Sequence, residues 1–133
     1  MNICFYQPEW MHRATIQKTR LWLDFARETC KAFDAKFYFV GQQEHARHSR
    51  GKPEPIVVSG WVQTPAPHYL LTCDEFQANA DFCAVDQSGT IIIGADDGEE
   101  PRGIENRIYI QTPVSYPLWG SVAAGIALHE ILK

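Results

Sequence analysis

Residues 90–113 read TIIIGADDGEEPRGIENRIYIQTP, and residues 120–132 read GSVAAGIALHEIL. The apolar run Thr90–Ile93 and the β-rich run Arg107–Thr112 predict two strands. The acidic, glycine-containing stretch 94–100 predicts a loop between them. Ser121 is the predicted N-cap of a helix over 122–132 that is rich in small residues. The order strand, glycine loop, strand and helix is typical of half of an α/β domain.

The remainder of the chain predicts further alternation of strands and helices. A stretch without Gly or Pro, 14–33, carries apolar residues at helical spacing and predicts one long helix. Thr72 and Glu75 form a capping box, which predicts a second helix through Ala80. The remaining apolar runs are short and predict strands or connections: 3–6, 36–40, 56–58, 69–71 and 82–85. We therefore predict a mostly parallel sheet, in which ligands bind at the carboxyl ends of the strands, here the loops after Ile93 and Thr112.

Length and composition exclude several classes of protein. The chain has 133 residues and a formal net charge of −4, so we expect one α/β domain over residues 1–133 and no nucleic-acid binding by bulk charge. Any RNA contact would be local, and the loop His45–Lys52 is the one dense basic stretch. The N-terminus does not resemble a signal peptide, and no apolar run approaches the roughly 20 residues that span a membrane. We expect a cytoplasmic protein without a membrane segment.

The four cysteines have no zinc-site spacing, which predicts reduced, buried thiols. The acidic residues of the glycine loop, including Glu100, lack the alternating ligands of a calcium loop. We interpret them as a solvated acidic loop and predict no metal site.

The C-terminal motif series resembles the SPOUT RNA methyltransferases, in particular the SpoU-like branch that methylates the ribose 2′-oxygen. In that family a strand leads into a G-x-E-x-x-G loop, a second strand ends in Ile-Pro, and a small-residue helix follows. Gly94 matches the first glycine, Asp96 stands in place of the Glu, and Ser121–Glu130 matches the helix. The opening strand Asn2–Glu9 and the segment Arg27–Val40 resemble the small single-domain members.

The resemblance implies a C-terminal trefoil knot, a homodimer, and S-adenosylmethionine held by backbone groups of the knot loops. It further implies methyl transfer to RNA, with tRNA as the expected class. Arg27 or Arg20 corresponds to the family's catalytic arginine, depending on the register. The cofactor-site residues that it implies are Gly94, Asp96, Gly98, Ile110, Thr112, Leu118 and Ser121.

The sequence departs from the family at its catalytic motifs. If Arg27 is the family arginine, the preceding Asn and Gly positions hold Leu21 and Leu23. If Arg20 is chosen instead, the motif is equally absent and the helix is about two turns too long. The family's Ser-Leu-Asn is replaced by Pro-Leu-Trp at 117–119, where Trp119 is expected to narrow the cofactor pocket. Leucine and tryptophan cannot hold the hydrogen-bond network that Asn provides. Two further hypotheses therefore stand beside the enzyme: an inactive knotted dimer that binds cofactor, RNA or protein, and a plain α/β domain of flavodoxin-like class.

Overall fold

The protein is described by a computed structural model that covers residues 1–8, 16–41, 43–47, 51–94, 100–114 and 118–133, without the side chains of 16–19, 44 and 45. Its strands are β1 (Asn2–Tyr6), β2 (Lys36–Val40), β3 (Ile56–Val58), β4 (His68–Leu71), β5 (Thr90–Ile93) and β6 (Asn106–Ile108). Its helices are α1 (Ile16–Ala32), α2 (Gln43–Arg47) and α3 (Gly120–Leu132).

The six strands form one sheet in the order β3-β2-β1-β5-β4-β6, and every pairing is parallel. This confirms the predicted mostly parallel α/β sheet. In the centre, Asn2 of β1 lies opposite Lys36 of β2 and Thr90 of β5. The two central strands, β1 and β5, are apolar along most of their length. Strands that are covered on both faces of a sheet lose access to water, and this favours apolar side chains. The predicted trefoil knot stays a prediction, since segments 95–99 and 115–117 lie outside the described residues.

The main core lies between the sheet and the two long helices. Phe5 of β1 packs edge-to-face against Trp22 of α1, with ring centroids 5.0 Å apart, and against Phe37 of β2 at 5.5 Å. The opposite face of the sheet carries a smaller apolar cluster, in which Ile104 and Trp61 cover the inner strands. No helix in the described part of the chain is long and apolar enough to cross a membrane.

Helix α3 contacts α1 through small side chains. Ala123, Ala124 and Ala127 are buried, as their size predicts for close helix packing. The helix begins one residue before the predicted cap: Trp119 occupies the N-cap position without a side-chain hydrogen bond, so the assignment of Ser121 as the cap is wrong. Instead, the Ser121 carbonyl accepts a hydrogen bond from the Thr29 hydroxyl of α1 at 3.4 Å.

The helix predicted from the capping box does not form. Asp74, not Thr72, caps a single 3-10 turn at Glu75–Gln77 by accepting from the backbone N–H of Phe76. The chain then leaves helical geometry because the backbone N–H groups of Asn79 and Ala80 both donate to the Arg107 carbonyl beside β6. A second 3-10 turn occupies Phe82–Ala84. Tertiary hydrogen bonds thus override the local helix signal.

Two further expectations need correction. Strand β6 ends at Ile108 rather than at Thr112, because its neighbour β4 ends at Leu71, directly opposite Ile108, and offers no further pairing. All four cysteines are free thiols, but only Cys4 and Cys30 are buried, whereas Cys73 and Cys83 are exposed. The predicted basic loop also contains the short helix α2.

Candidate functional site

The carboxyl ends of β1, β4, β5 and β6 lie side by side at one edge of the sheet. Leu71 lies opposite both Ile93 and Ile108, so the residues that follow these three strands leave the sheet at the same level. With strands about 4.8 Å apart, the ends of β5, β4 and β6 span roughly 10 Å. Of the two loops that the sequence predicts as ligand sites, the one after Ile93 begins at this edge, and the one after Thr112 lies four residues beyond the end of β6.

The crevice between β1 and β5 lies where the chain connections diverge. The connection from β1 leads to β2 on one side, whereas the connection from β5 leads past β4 to β6 on the other. In open parallel sheets this divergence leaves a cleft at the carboxyl ends, where ligands bind. Gln7 follows β1 and Gly94 follows β5, so these two residues flank the cleft.

Glu100, the last residue of the glycine loop 94–100, is hydrogen-bonded to residues that follow β4. Its carboxylate accepts from the backbone N–H of Cys73 at 2.7 Å and from the Thr72 hydroxyl at 3.1 Å, just beyond the end of β4. Gly94 beyond β5 and Glu100 beside the end of β4 are the described residues on either side of segment 95–99. The prediction of a solvated acidic loop is wrong for Glu100. No sequence signal pairs a glutamate with a Thr-Cys step 27 residues earlier.

The structure brings together part of the predicted cofactor set. Gly94 lies at the end of β5, and Ile110 and Thr112 lie in the extended chain beyond β6. Among the described residues, the backbone groups of Ile110 and Gln111 have no main-chain hydrogen-bond partner. Asp96 and Gly98 lie outside the described residues.

The other predicted cofactor residues lie beside α3. Leu118 packs against the main core, and Ser121 lines a groove between α1 and α3. The side chain of Trp119 lines the same groove. Trp119 is exposed at the outer surface of the helix pair, and its narrowing of the cofactor pocket stays a prediction.

The two candidate arginines occupy different ends of α1. Because α1 leads into β2 at the amino edge of the sheet, its first turns lie toward the carboxyl edge. Arg20 lies in the first turns, and Arg27 lies about 10 Å further along the helix, toward the amino edge. Arg27 is 6% exposed and donates to Asp24 at 2.6 Å, and a Cβ on Gly51 would overlap its guanidinium group. Arg27 is thus not an ordinary surface charge of the helix.

An apolar groove of about 760 Å³ separates the outer faces of α1 and α3. Its apolar lining consists of Phe25, Ala32, Phe33, Trp119, Val122 and Ile126. Phe25, Trp119 and Val122 are among the more exposed large apolar side chains of the described chain. A Cβ on Gly125 would make only an ordinary contact with Thr29 at 3.6 Å, so packing within the chain does not require glycine there.

The thiols do not form a nucleophilic centre. Burial raises the pKa of both Cys4 and Cys30 from 9.0 to about 12. Burial also raises the pKa of Cys73, and the neighbouring Glu100 carboxylate adds to the shift. Since the thiolate is the reactive form, the buried Cys4 and Cys30 stay protonated and inert at neutral pH, and the shift at the exposed Cys73 gives no activated thiol.

The basic loop His45–Lys52 is described in part. Arg47 is exposed at the end of α2, and Lys52 pairs with Glu54 at 2.8 Å. His48 and Arg50 lie outside the described residues, as does the side chain of His45. RNA contact through this loop stays a prediction.

Comparisons with known proteins give a fold and no close relative. No protein-family model matches the sequence, and no curated protein matches it. An AdoMet-bound rRNA methyltransferase from Sinorhizobium meliloti is structurally similar, with a TM-score of 0.61 at 16% identity over 98% of this chain and 54% of that chain. The A. aeolicus TrmH/SpoU tRNA modifying enzyme gives 0.57 at 17% identity over 98% of this chain and 73% of that chain.

The chain has a SPOUT-like fold. It spans about half the length of the rRNA methyltransferase and about three quarters of the tRNA modifying enzyme. The sheet and helices described above therefore correspond to part of each neighbour.

Proposed function

We propose that the protein is an S-adenosylmethionine-dependent RNA methyltransferase of the cytoplasm, with tRNA as the expected substrate class and a knotted C-terminal half. The observation that carries the proposal is the contact of Glu100 with Thr72 and Cys73, which holds the end of the glycine loop at the carboxyl edge of the sheet. It lies on the fold of a methyltransferase whose structure contains AdoMet.

The residues at this edge suit the cofactor. Gly94 lets backbone approach a ligand closely, and the backbone groups of Ile110 and Gln111 offer donors and acceptors for an adenine or ribose edge. Asp96 in the glycine loop would place negative charge near the cationic sulfonium. When bound, the cofactor supplies the methyl group.

Arg20 is the proposed family arginine. It lies near the carboxyl edge, where the glycine loop also begins, whereas Arg27 is buried toward the opposite edge and paired with Asp24. A guanidinium at this position would hold an RNA phosphate or orient the accepting hydroxyl oxygen. Arg27 is proposed to stabilise the fold.

The proposed homodimer forms through the α1–α3 groove. Large apolar side chains are exposed on both helices. Burying them against a second copy of the chain is favourable, because it removes apolar surface from water. Val122→Glu should therefore convert a dimer into a monomer in light scattering after size exclusion. Val62→Glu serves as the matched control, because Val62 is the same residue type and is still more exposed, but lies on a 3-10 turn far from the groove in sequence. A wild-type monomer would contradict the proposal.

Calorimetry with S-adenosylmethionine and S-adenosylhomocysteine tests the pocket. We expect micromolar binding, about −8 kcal/mol, and a loss of binding in Gly94→Val. Labelled cofactor with bulk tRNA then tests transfer, and Arg20→Ala should abolish incorporation while leaving cofactor binding intact. Transfer that persists in Arg20→Ala would rule out its proposed role.

A second candidate function is an inactive binding module. In the Arg27 register the family's Asn and Gly positions hold Leu21, which is exposed, and Leu23, which is fully buried in the core. Neither side chain can replace the lost amide. Cofactor binding without methyl transfer to any RNA would favour this function.

A further inference from the structure

Gln7 carries a buried amide donor at the divergence of β1 and β5. Its backbone N–H donates to the Val40 carbonyl at 2.8 Å, which continues the β1–β2 pairing by one residue. Because side chains alternate along a strand, Gln7 shares the α1-facing side with Ile3 and Phe5. Its side chain is therefore held at the carboxyl edge, beneath the first turns of α1.

The Gln7 side chain carries a donor that is unsatisfied within the described residues. The residue is 3% exposed, and its Nε2 has no hydrogen-bond partner in the described part of the chain. Buried polar groups in folded proteins are nearly always hydrogen-bonded, because an unpaired donor loses its interaction with water without replacement. A leucine of similar size would avoid that loss, so chain stability does not account for a glutamine here.

Arg20 presents a second orphaned donor at the same edge. Its Nε is buried and has no hydrogen-bond partner among the described residues. Arg20 lies one turn before Leu23, whose side chain is fully buried on the sheet-facing side of α1. Gln7, directly after β1, and Arg20, in the first turns of α1, thus each carry a donor toward the carboxyl edge that has no acceptor among the described residues.

We propose that Gln7 is an RNA-binding residue whose side-chain amide, together with Arg20, holds a phosphate group of the substrate. This inference rests on the proposed function and extends it to a residue outside the predicted catalytic set. A phosphate offers several acceptor oxygens to two donors at once and balances the guanidinium charge, which a neutral base carbonyl does not.

The test compares Gln7→Leu with Asn2→Leu. Asn2 is also a buried β1 amide, but it lies at the amino edge and its Nδ2 donates to the Gly89 carbonyl at 2.8 Å and the Ser88 carbonyl at 3.1 Å. Fluorescence anisotropy with labelled bulk tRNA, calorimetry with S-adenosylmethionine, and thermal melting are measured on each variant.

We expect Gln7→Leu to weaken tRNA binding about five- to tenfold, with cofactor affinity and melting temperature unchanged. Gln7→Glu should weaken it further, since a carboxylate repels phosphate. Asn2→Leu should lower the melting temperature by several degrees and leave tRNA affinity unchanged at temperatures where it is folded.

Three outcomes overturn the inference. If wild type binds tRNA and Gln7→Leu binds within twofold of it, the inference fails while the proposed function stands. If Gln7→Leu melts as early as Asn2→Leu, Gln7 is a structural residue. If wild type binds S-adenosylmethionine but no RNA, the proposed substrate class is wrong, and the inference is wrong with it.

Discussion

The anchoring of the glycine loop by Glu100 predicts a measurable loss on Glu100→Ala. The two partners of Glu100 differ in exposure. Cys73 is exposed, so its backbone N–H can donate to water once the carboxylate is gone. Thr72 is 4% exposed, so its hydroxyl proton would be left without an acceptor. An unsatisfied buried donor costs about 1–2 kcal/mol, and the exposed bond adds about 0.5 kcal/mol. We therefore expect Glu100→Ala to lower the free energy of unfolding by about 2 kcal/mol.

Urea unfolding of a double-mutant cycle isolates the Thr72 contact. Thr72→Val removes the hydroxyl and also the acceptor of the Asp74 N–H. The double variant with Glu100→Ala should lose about 1 kcal/mol less than the sum of the two single losses, because the shared contact is counted once. Glu105→Gln is the control, since Glu105 is exposed and its carbonyl rather than its carboxylate accepts from Asn79.

Cofactor affinity should fall when the Glu100 contacts with Thr72 and Cys73 are lost. A loop released at one end has to be ordered on binding, so we expect Glu100→Ala to raise the Kd for S-adenosylmethionine roughly five- to thirtyfold, equivalent to about 1–2 kcal/mol. The anchoring role is refuted if the losses of unfolding free energy in Thr72→Val and Glu100→Ala simply add in the double variant. It is also refuted if Glu100→Ala binds S-adenosylmethionine as tightly as the wild type does.

Three further predictions concern stability and thiol chemistry. At pH 8 a thiol reagent should label the exposed cysteines within minutes, and should reach Cys4 and Cys30 only on unfolding; rapid labelling of four thiols in the folded protein would contradict their burial. Unfolded thiols ionise near pH 9 and these two near 12, so the folded state retains more protons between those values. The free energy of unfolding should therefore fall by about 1.4 kcal/mol per pH unit per thiol above pH 9, and the Cys4→Ala, Cys30→Ala double variant should reduce that slope. Gly51→Ala should destabilise by about 1–3 kcal/mol because its Cβ overlaps the Arg27 guanidinium, whereas Gly60→Ala, with open space around it, should be neutral in the same urea titration.

The sequence predicts the elements whose signal is local. Continuous apolar runs mark β1, β2 and β5, and the small-residue pattern marks α3, because these segments are buried on the sides that the patterns indicate. The capping box at Thr72 fails because the Thr72 hydroxyl donates to the Glu100 carboxylate and accepts from the Asp74 backbone N–H instead of capping a helix. Local sequence patterns do not predict a hydrogen-bond partner as distant in sequence as Glu100 is from Thr72.

The site is predicted only where strand order determines it. Placing Gly94 and Ile110 at one edge follows from a parallel sheet, whichever residues fill the loops. Gln7 escapes sequence reasoning because a glutamine after a strand is common, and its significance comes from burial without a partner. The choice between the two arginines likewise depends on the direction of α1, which periodicity does not give.

The sheet order has a consequence for how the protein is made. Strand β1 pairs with β2, about 34 residues later, but its other edge waits for β5, about 88 residues later. A nascent chain can thus assemble β1, α1, β2 and β3 early, while the inner edge of β1 stays open to any extended segment nearby. Helix α3 then adds the last apolar layer over that half. Stalled synthesis between residues 60 and 90 should therefore leave a species prone to aggregation, and refolding of the whole chain should be slow for its size because its central pairing is so distant in sequence.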